Sequence, residues 1–339
     1  MFYEKELTSS WDLKSRTKLL ASRGLGIPGG ERYILGLMDE DGCLAATGSL
    51  VGSTIQGTAV DPQFEGQGLM TQLVSKLMEV ASLTCPAEDI RVFTKAESVP
   101  KFADLGFHTV GKTDRVGLLE WKPRFRAHLA AWHDVAESLP PVEVTGSIVM
   151  NANPCTLGHE YLIRKAAEDC DRLFVFVVSE DRSQFSAADR LAIVKAVAAD
   201  LPAPLSSKII VMESGPYCIS SATFPSYFTR DEERASVHAE LDLKLFISQA
   251  KELDITRRYA GTEPFSPSTA AYNDAMARVL PTGGITPVFI PRVEKDGTAV
   301  SATEVRRLLD EGRTAQALAL LPTASAELVK QILAGKEGA

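Results

Sequence analysis

One stretch constrains the fold of this chain more than any other. An apolar run over residues 146–150 breaks at Asn151-Ala152-Asn153-Pro154, and helical spacing resumes over 158–170. Asn-Pro is a turn signal, and a buried strand leading through a tight turn into a helix is the opening unit of a parallel α/β sheet. Ligands of such sheets gather outside the carboxyl ends of the strands, where Thr156-Leu157-Gly158-His159 falls. Gly158 lets a phosphate approach the backbone, and a helix start favours negative charge. His159 can donate to oxygens whose charge grows in a transition state, with Thr156 adding a hydroxyl. An ordinary first-turn histidine after an ordinary turn also fits these four residues, because short patterns recur by chance.

A second segment, Ser301-Ala302-Thr303-Glu304-Val305-Arg306, opens another helix. Ser301 and Glu304 have the spacing of a capping box ahead of an amphipathic helix carrying Val305, Leu308 and Leu309. Capping leaves Thr303 and Arg306 unexplained. Two hydroxyls, helix-terminal N–H groups and a guanidinium suit a polyphosphate, and cap and phosphate site draw on the same donors. Together the two segments read as an apparatus for cleaving a nucleoside triphosphate between its α and β phosphates. Between them, strands are expected over 173–178 and 208–212, at Arg257 to Gly261 and over 287–291, with helices over 189–200 and 240–253. That alternation predicts a doubly wound α/β sheet. Alanine- and leucine-rich helices over 315–321 and 324–334 close the chain.

The T-x-G-H turn and the S-x-T-x-x-R helix start resemble the nucleotidyltransferase superfamily. Longer stretches narrow the match: Phe176 to Ser183 with Phe185-Ser186 and Asp189-Arg190, then Gly215-Pro216-Tyr217 through Pro225, then Gly261 to Ser266 with Tyr272-Asn273. These resemble the citrate lyase ligase family over essentially the whole chain. The resemblance implies that ATP binds between the Thr156–His159 turn and the Ser301–Arg306 helix start. It implies that acetate attacks the α phosphorus to give acetyl-adenylate and pyrophosphate, and that the acetyl group passes to a prosthetic-group thiol on the citrate lyase acyl-carrier subunit. Thr156, His159 and Arg306 are then the catalytic residues, and Asn153, Gly158, Gly261, Glu263, Ser301 and Thr303 the nucleotide-binding ones. Asn151, Arg182 and Tyr217 are candidates for the carboxylate pocket. Glu263 and Asp181 resemble positions near the nucleotide, and either reads equally as a solvated loop carboxylate. Mg²⁺ is expected with the phosphates, without a dedicated protein site.

Residues 1–122 read differently. Strands are expected over 33–38 and 43–50, joined by Asp39-Glu40-Asp41-Gly42, and another over 56–60. The turn Asp61 to Gly68 follows, then a helix over 69–83 with Leu73, Leu77, Val80 and Ala81 inward, a strand over 90–94 and a short helix over 100–105. This order, with Gln63 to Gly68 matching a Q/R-x-x-G-x-G turn and Ala103 to Phe107 as its close, resembles the GNAT acetyltransferase fold. Such a turn serves either acetyl-CoA binding or shape alone, and fold does not settle function. Residues 123–142 read as a helical connector ending at Pro140-Pro141, and 143–339 as the catalytic domain.

Composition limits the remaining choices. At 339 residues two cores are affordable, and a net charge of −8 argues against nonspecific nucleic-acid binding. No apolar run approaches a membrane span, and Met1-Phe2-Tyr3-Glu4 lacks the basic start of a signal peptide. Five cysteines without paired spacing read as reduced thiols in a cytoplasmic protein, and no Cys/His cluster suggests zinc. Cys155 reads as a nucleophile only if a base is paired with it. Two rival functions stay open. One is nucleotidyl transfer to a phosphate acceptor such as phosphopantetheine, which requires further cations near the turn, where few are evident. The other is a regulatory protein that senses acetyl-CoA and turns over no ATP.

Overall fold

The computed structural model describes residues 1–86, 88–179, 183–218, 231–262, 267–292, 294–295 and 298–337. Backbone contacts divide the chain into two compact units. Met1–Ala127 and the described part of Ile219–Leu245 form the first, and His128–Cys218 with Phe246–Ala339 the second.

In the first unit the elements run β1 (Tyr3–Glu6), α1 (Ser10–Ser22), β2 (Tyr33–Met38), β3 (Leu44–Val51), β4 (Thr54–Val60), α2 (Leu69–Thr84), β5 (Arg91–Lys95), α3 (Val99–Asp104), β6 (His108–Lys112) and β7 (Val116–Glu120). The sheet order is β1-β2-β3-β4-β5-β7-β6. Every neighbouring pair is antiparallel except β4 and β5, which run parallel and pair only at Thr54↔Arg91 and Ile55↔Val92. Beyond those pairs the two strands part around a cavity of about 600 Å³, lined by Thr58 to Val60, Phe93 to Lys95 and the Gly66–Met70 turn. Leu69, Leu73, Val74, Leu77 and Ala81 of α2 are buried. β1, α1, β6 and β7 are elements beyond those the sequence reading placed. The apolar period of α1 is masked because Asp12 and Arg16 are themselves buried, held by Lys5 and Glu31.

α4 (Arg124–Glu137) leads into the second unit. From there β8 (Thr145–Met150), α5 (Leu157–Glu168), β9 (Arg172–Val177), α6 (Ala187–Asp200), α7 (Ala203–Ser206), β10 (Ile209–Glu213), α8 (Asp231–Glu252, divided between the units after Leu245), β11 (Arg257–Gly261), α9 (Pro267–Val279), β12 (Thr286–Ile290), α10 (Ala302–Asp310), α11 (Thr314–Leu318) and α12 (Thr323–Glu337) follow along the chain. All pairings in the order β10-β9-β8-β11-β12 are parallel. This is the doubly wound α/β sheet expected from the sequence. β9 is buried at all six positions, as a central parallel strand should be. Ile148, Val175, Val177, Ile193, Val197, Val305 and Leu308 share one core, each such side chain contributing roughly 1.5–3 kcal/mol on burial. Trp132 of α4 stacks on Phe176, with ring centroids 4.7 Å apart. α8 begins nine residues ahead of its expected start, because the charged run over 231–234 hides the apolar period in the sequence. α9 is a further unexpected helix.

The chain moves from β8 outward to β10, then crosses back to lay β11 and β12 on the other side of β8. The strand order therefore reverses between β8 and β11, and a crevice opens there.

Candidate active site at the reversal between β8 and β11

A cavity of about 890 Å³ occupies that crevice. Asn151, Thr156, Gly158 and His159 line it from the β8–α5 turn, Gly261 from the end of β11, and Ser301 and Thr303 from the start of α10. The two segments singled out in the sequence thus face one space.

The imidazole of His159 is fixed by the turn that carries it. Its Nδ1 accepts the Thr156 backbone N–H at 3.0 Å and lies 2.9 Å from the Thr156 hydroxyl. A backbone N–H can only donate, so Nδ1 is the acceptor and the proton of the neutral ring sits on Nε2. Burial first, and the nearby positive charge of Arg292 second, push its pKa down from 6.5 to about 4. The ring is half-buried, and the cavity walls crowd it enough to disfavour charge. His159 therefore offers a neutral N–H donor in a fixed direction.

Gly158 has a packing reason beyond phosphate approach. A Cβ there would stand 3.3 Å from the Val300 carbonyl oxygen, so its bareness lets the loop before Ser301 lie against the turn. The turn is braced from behind as well. Leu157 N–H donates to the Leu320 carbonyl at 3.1 Å, and the Ser325 hydroxyl to the Cys155 carbonyl at 2.7 Å. Asn153 Oδ1 accepts the Phe185 N–H at 3.1 Å, and its backbone carbonyl accepts Arg306 Nη1 at 2.7 Å. Asn153 and Arg306 thus connect the two segments without lining the cavity. Arg306 Nη2 donates to the Thr303 hydroxyl at 3.1 Å, which aims that cavity-lining side chain.

Other expectations change in detail. Ser301 caps α10 by accepting the Glu304 N–H at 3.1 Å, but Glu304 does not complete the box, because Arg307 holds both its oxygens at 2.6 and 2.8 Å. Asn151 gives its carbonyl oxygen to the buried Arg190 at 2.8 Å, leaving its Nδ2 donors for a ligand. Gly261 accepts Asn273 Nδ2 on its carbonyl at 3.0 Å. Tyr217 is buried, its ring 5.1 Å from that of His128, and it is not among the cavity-lining residues. Tyr161 and Leu162 face the cavity, while Ile163, Ala166 and Ala167 form the buried face of α5. Arg182, Asp181 and Glu263 lie outside the described residues. Cys155 is fully buried and its thiol pKa is pushed far up, which removes it as a nucleophile. All five cysteines are free thiols.

Sequence spacing did not bring Arg258, Tyr272, Met276 or Arg292 to the site, yet all four line it. Arg258 and Arg292 also remove the scarcity of cations as an objection to a phosphate acceptor. Their signal in the sequence was only that Arg258 falls in a strand entering the same crevice. No carboxylate is among the described lining residues, and no cluster of metal-ligating side chains forms among the described residues. Among the described residues no helix is long and apolar enough to cross a membrane.

Residues 145–329 match the family model of the citrate lyase ligase C-terminal domain. The chain is 34% identical over 297 residues to the citrate (pro-3S)-lyase ligase of Klebsiella pneumoniae, covering 85% of this chain and 84% of that one. It is 35% identical to the ligase of the same name from Haemophilus influenzae, covering 86% and 87%. Among solved structures, Escherichia coli ElaA is 16% identical and covers 36% of this chain and 100% of that one at a TM-score of 0.32. Thermotoga maritima TmcAL bound with alpha-thio ATP is 16% identical and covers 57% and 56% at a TM-score of 0.39. Two relatives above 30% identity, each matched over more than four fifths of both chains, together with a family model spanning more than half the chain, place it: the chain belongs to the citrate lyase ligase family of enzymes.

Proposed function

We propose that the chain adenylates acetate with ATP and transfers the acetyl group to the prosthetic-group thiol of a citrate lyase acyl-carrier subunit, releasing AMP and pyrophosphate in the cytoplasm. The observation that carries this reading is His159, a neutral donor with its proton on Nε2, lining the same cavity as the α10 helix start. The triphosphate lies between them. Acetate, ionised at neutral pH, needs no base. Its oxygen forms a bond to the α phosphorus while the bond to the β-phosphate oxygen breaks, and pyrophosphate departs.

His159 Nε2–H and the Asn151 amide stabilise the phosphoryl oxygens as charge accumulates on them, and Gly158 admits them to the helix start. Ser301 and Thr303, the latter aimed by Arg306, hold the departing pyrophosphate, with Arg292 adding positive charge at the rim. In the second half-reaction a carrier thiolate attacks the acetyl carbon, the carbon–oxygen bond to AMP breaks, and the thiol proton is released to solvent. The test is to incubate the chain with ATP, acetate and the thiol-bearing carrier subunit and weigh the carrier. A mass gain of one acetyl group that requires ATP supports the reading, and an unmodified carrier in the presence of ATP turnover contradicts it.

A further inference from the structure

Two adjacent arginines on β11 have opposite surroundings. Arg257 is partly exposed and paired with Asp169 at 2.8 Å. Arg258 is only 4% exposed and lines the cavity. Its guanidinium lies over the Phe246 ring, 4.1 Å from the centroid, and 5.8 Å from the centroid of Tyr272. Nη2 donates to the Tyr272 hydroxyl at 3.1 Å, and Nη1 has no hydrogen-bond partner among the described residues. No ion pair to Arg258 forms among the described residues. A buried cation without an anion is unfavourable, and an aromatic ring over one face offsets only part of that cost. Among the described residues no negative group lies at the edge of this guanidinium.

The position narrows which anion that is. Arg258 pairs in register with Ser147, well before the end of β8, so its side chain enters the cavity from the floor rather than from the rim that carries His159 and Ser301. Tyr272 and Met276, one helical turn apart on α9, line the cavity with it, and Met276 is itself buried. A triphosphate asks for many donors, which the two helix starts supply. The unused N–H pair of Nη1 on a planar fork, beside an apolar wall, suits a single carboxylate with a short hydrocarbon tail.

We propose that Arg258 is the residue that binds the acceptor's carboxylate, and that Tyr272 and Met276 limit the length of acid that fits behind it. Binding moves the Tyr272 hydroxyl off Nη2 and gives Nη1 its first partner. One carboxylate oxygen keeps a lone pair for the α phosphorus. This assignment rests on the adenylation reading above.

Arg258→Gln and Arg258→Lys test it in ATP–pyrophosphate exchange. Both are expected to raise the KM for acetate, by roughly 30-fold or more for the glutamine variant, with the KM for ATP within about twofold of wild type. Met276→Ala is expected to shift preference toward propionate and longer acids. A direct readout needs no turnover: acetate alone, without ATP, raises the melting temperature of the wild-type chain, and Arg258→Gln abolishes that shift. Should the glutamine variant fail to fold, Arg258→Lys, which keeps charge but loses the fork, carries the test. An unchanged acetate KM, or a loss confined to ATP binding, overturns the assignment. If wild type shows no exchange with any short carboxylate, the adenylation reading falls. The melting shift then decides Arg258 by itself, and a shift absent from wild type, or equal in wild type and variant, overturns it.

Discussion

In the first unit β4 and β5 run parallel for two register pairs and then part around a cavity of about 600 Å³. In the second, β8 and β11 pair at Arg257↔Gly146, Arg258↔Ser147 and Tyr259↔Ile148, and a cavity of about 890 Å³ opens beyond. Each cavity is bordered by a glycine-bearing helix start, Gly66 and Gly68 before α2 and Gly158 in α5. The backbone device is the same; the side chains differ. In the first cavity Arg23 is paired with Glu65, and Lys95 donates to the Arg23 carbonyl at 2.7 Å, so these cations serve their own unit. In the second, the Thr156 N–H fixes the His159 ring through Nδ1, and Arg258 Nη1 has no hydrogen-bond partner among the described residues. Parting parallel strands make a cavity, and in the proposed function donors with spare capacity make the second one a reaction site.

The contrast is sharpest for His159. Replacing it with alanine should lower adenylation by about two to three orders of magnitude, as loss of one transition-state donor does, with the circular dichroism melt unchanged. Glu65→Ala in the first cavity should leave adenylation within about twofold, and equal losses at the two positions would erase the distinction. Gly158→Ala comes next. Its new Cβ would press on the Val300 carbonyl oxygen 3.3 Å away and displace the loop before Ser301, so kcat/KM for ATP should fall about tenfold in stopped-time exchange assays.

The pH response is smaller. His159 is held at about 4 against 6.5 in the unfolded chain. Between those values the unfolded state binds a proton that the folded state refuses, so stability falls as pH drops through that window and is indifferent to this group above 6.5. The neutral donor persists at neutral pH, so exchange should show no His159-dependent inflection from about pH 5.5 to 8. An inflection near 6.5 that vanishes in His159→Asn would mean an ordinary solvated imidazole. The mildest effect is Gly68→Ala, where φ is +75°: a left-handed alanine should cost about 1–2 kcal/mol of stability, read as a lower melting temperature, with ATP–pyrophosphate exchange intact.

The candidate site was legible because its parts are local. A strand, a turn and a helix start put Thr156, Gly158 and His159 in place within a few residues, and Ser301 to Arg306 do the same at α10. What escaped the sequence is whatever depends on a partner far along the chain. Arg258 and Arg257 look alike in the sequence; only the approach of Phe246 and Tyr272 on one side and Asp169 on the other separates a buried, uncompensated cation from a surface ion pair. Arg306 reads as a phosphate ligand, yet one of its nitrogens holds the Asn153 carbonyl and another aims Thr303. Tyr217 reads as a pocket residue from its motif, and His128 on a distant helix takes its ring into the interior. In the first unit β6 and β7 were missed for a related reason: β7 is buried at all five positions, including Glu120, whose carboxylate accepts the Phe125 N–H, and no apolar alternation marks it.

The most direct test is exchange of labelled pyrophosphate into ATP by the purified chain, run without acceptor, with acetate and with phosphopantetheine. Exchange that depends on acetate is the predicted result, because only an acyl-adenylate intermediate makes pyrophosphate release reversible in that mixture. Exchange that depends on phosphopantetheine and ignores acetate would contradict the account and make the chain a nucleotidyltransferase for a phosphate acceptor.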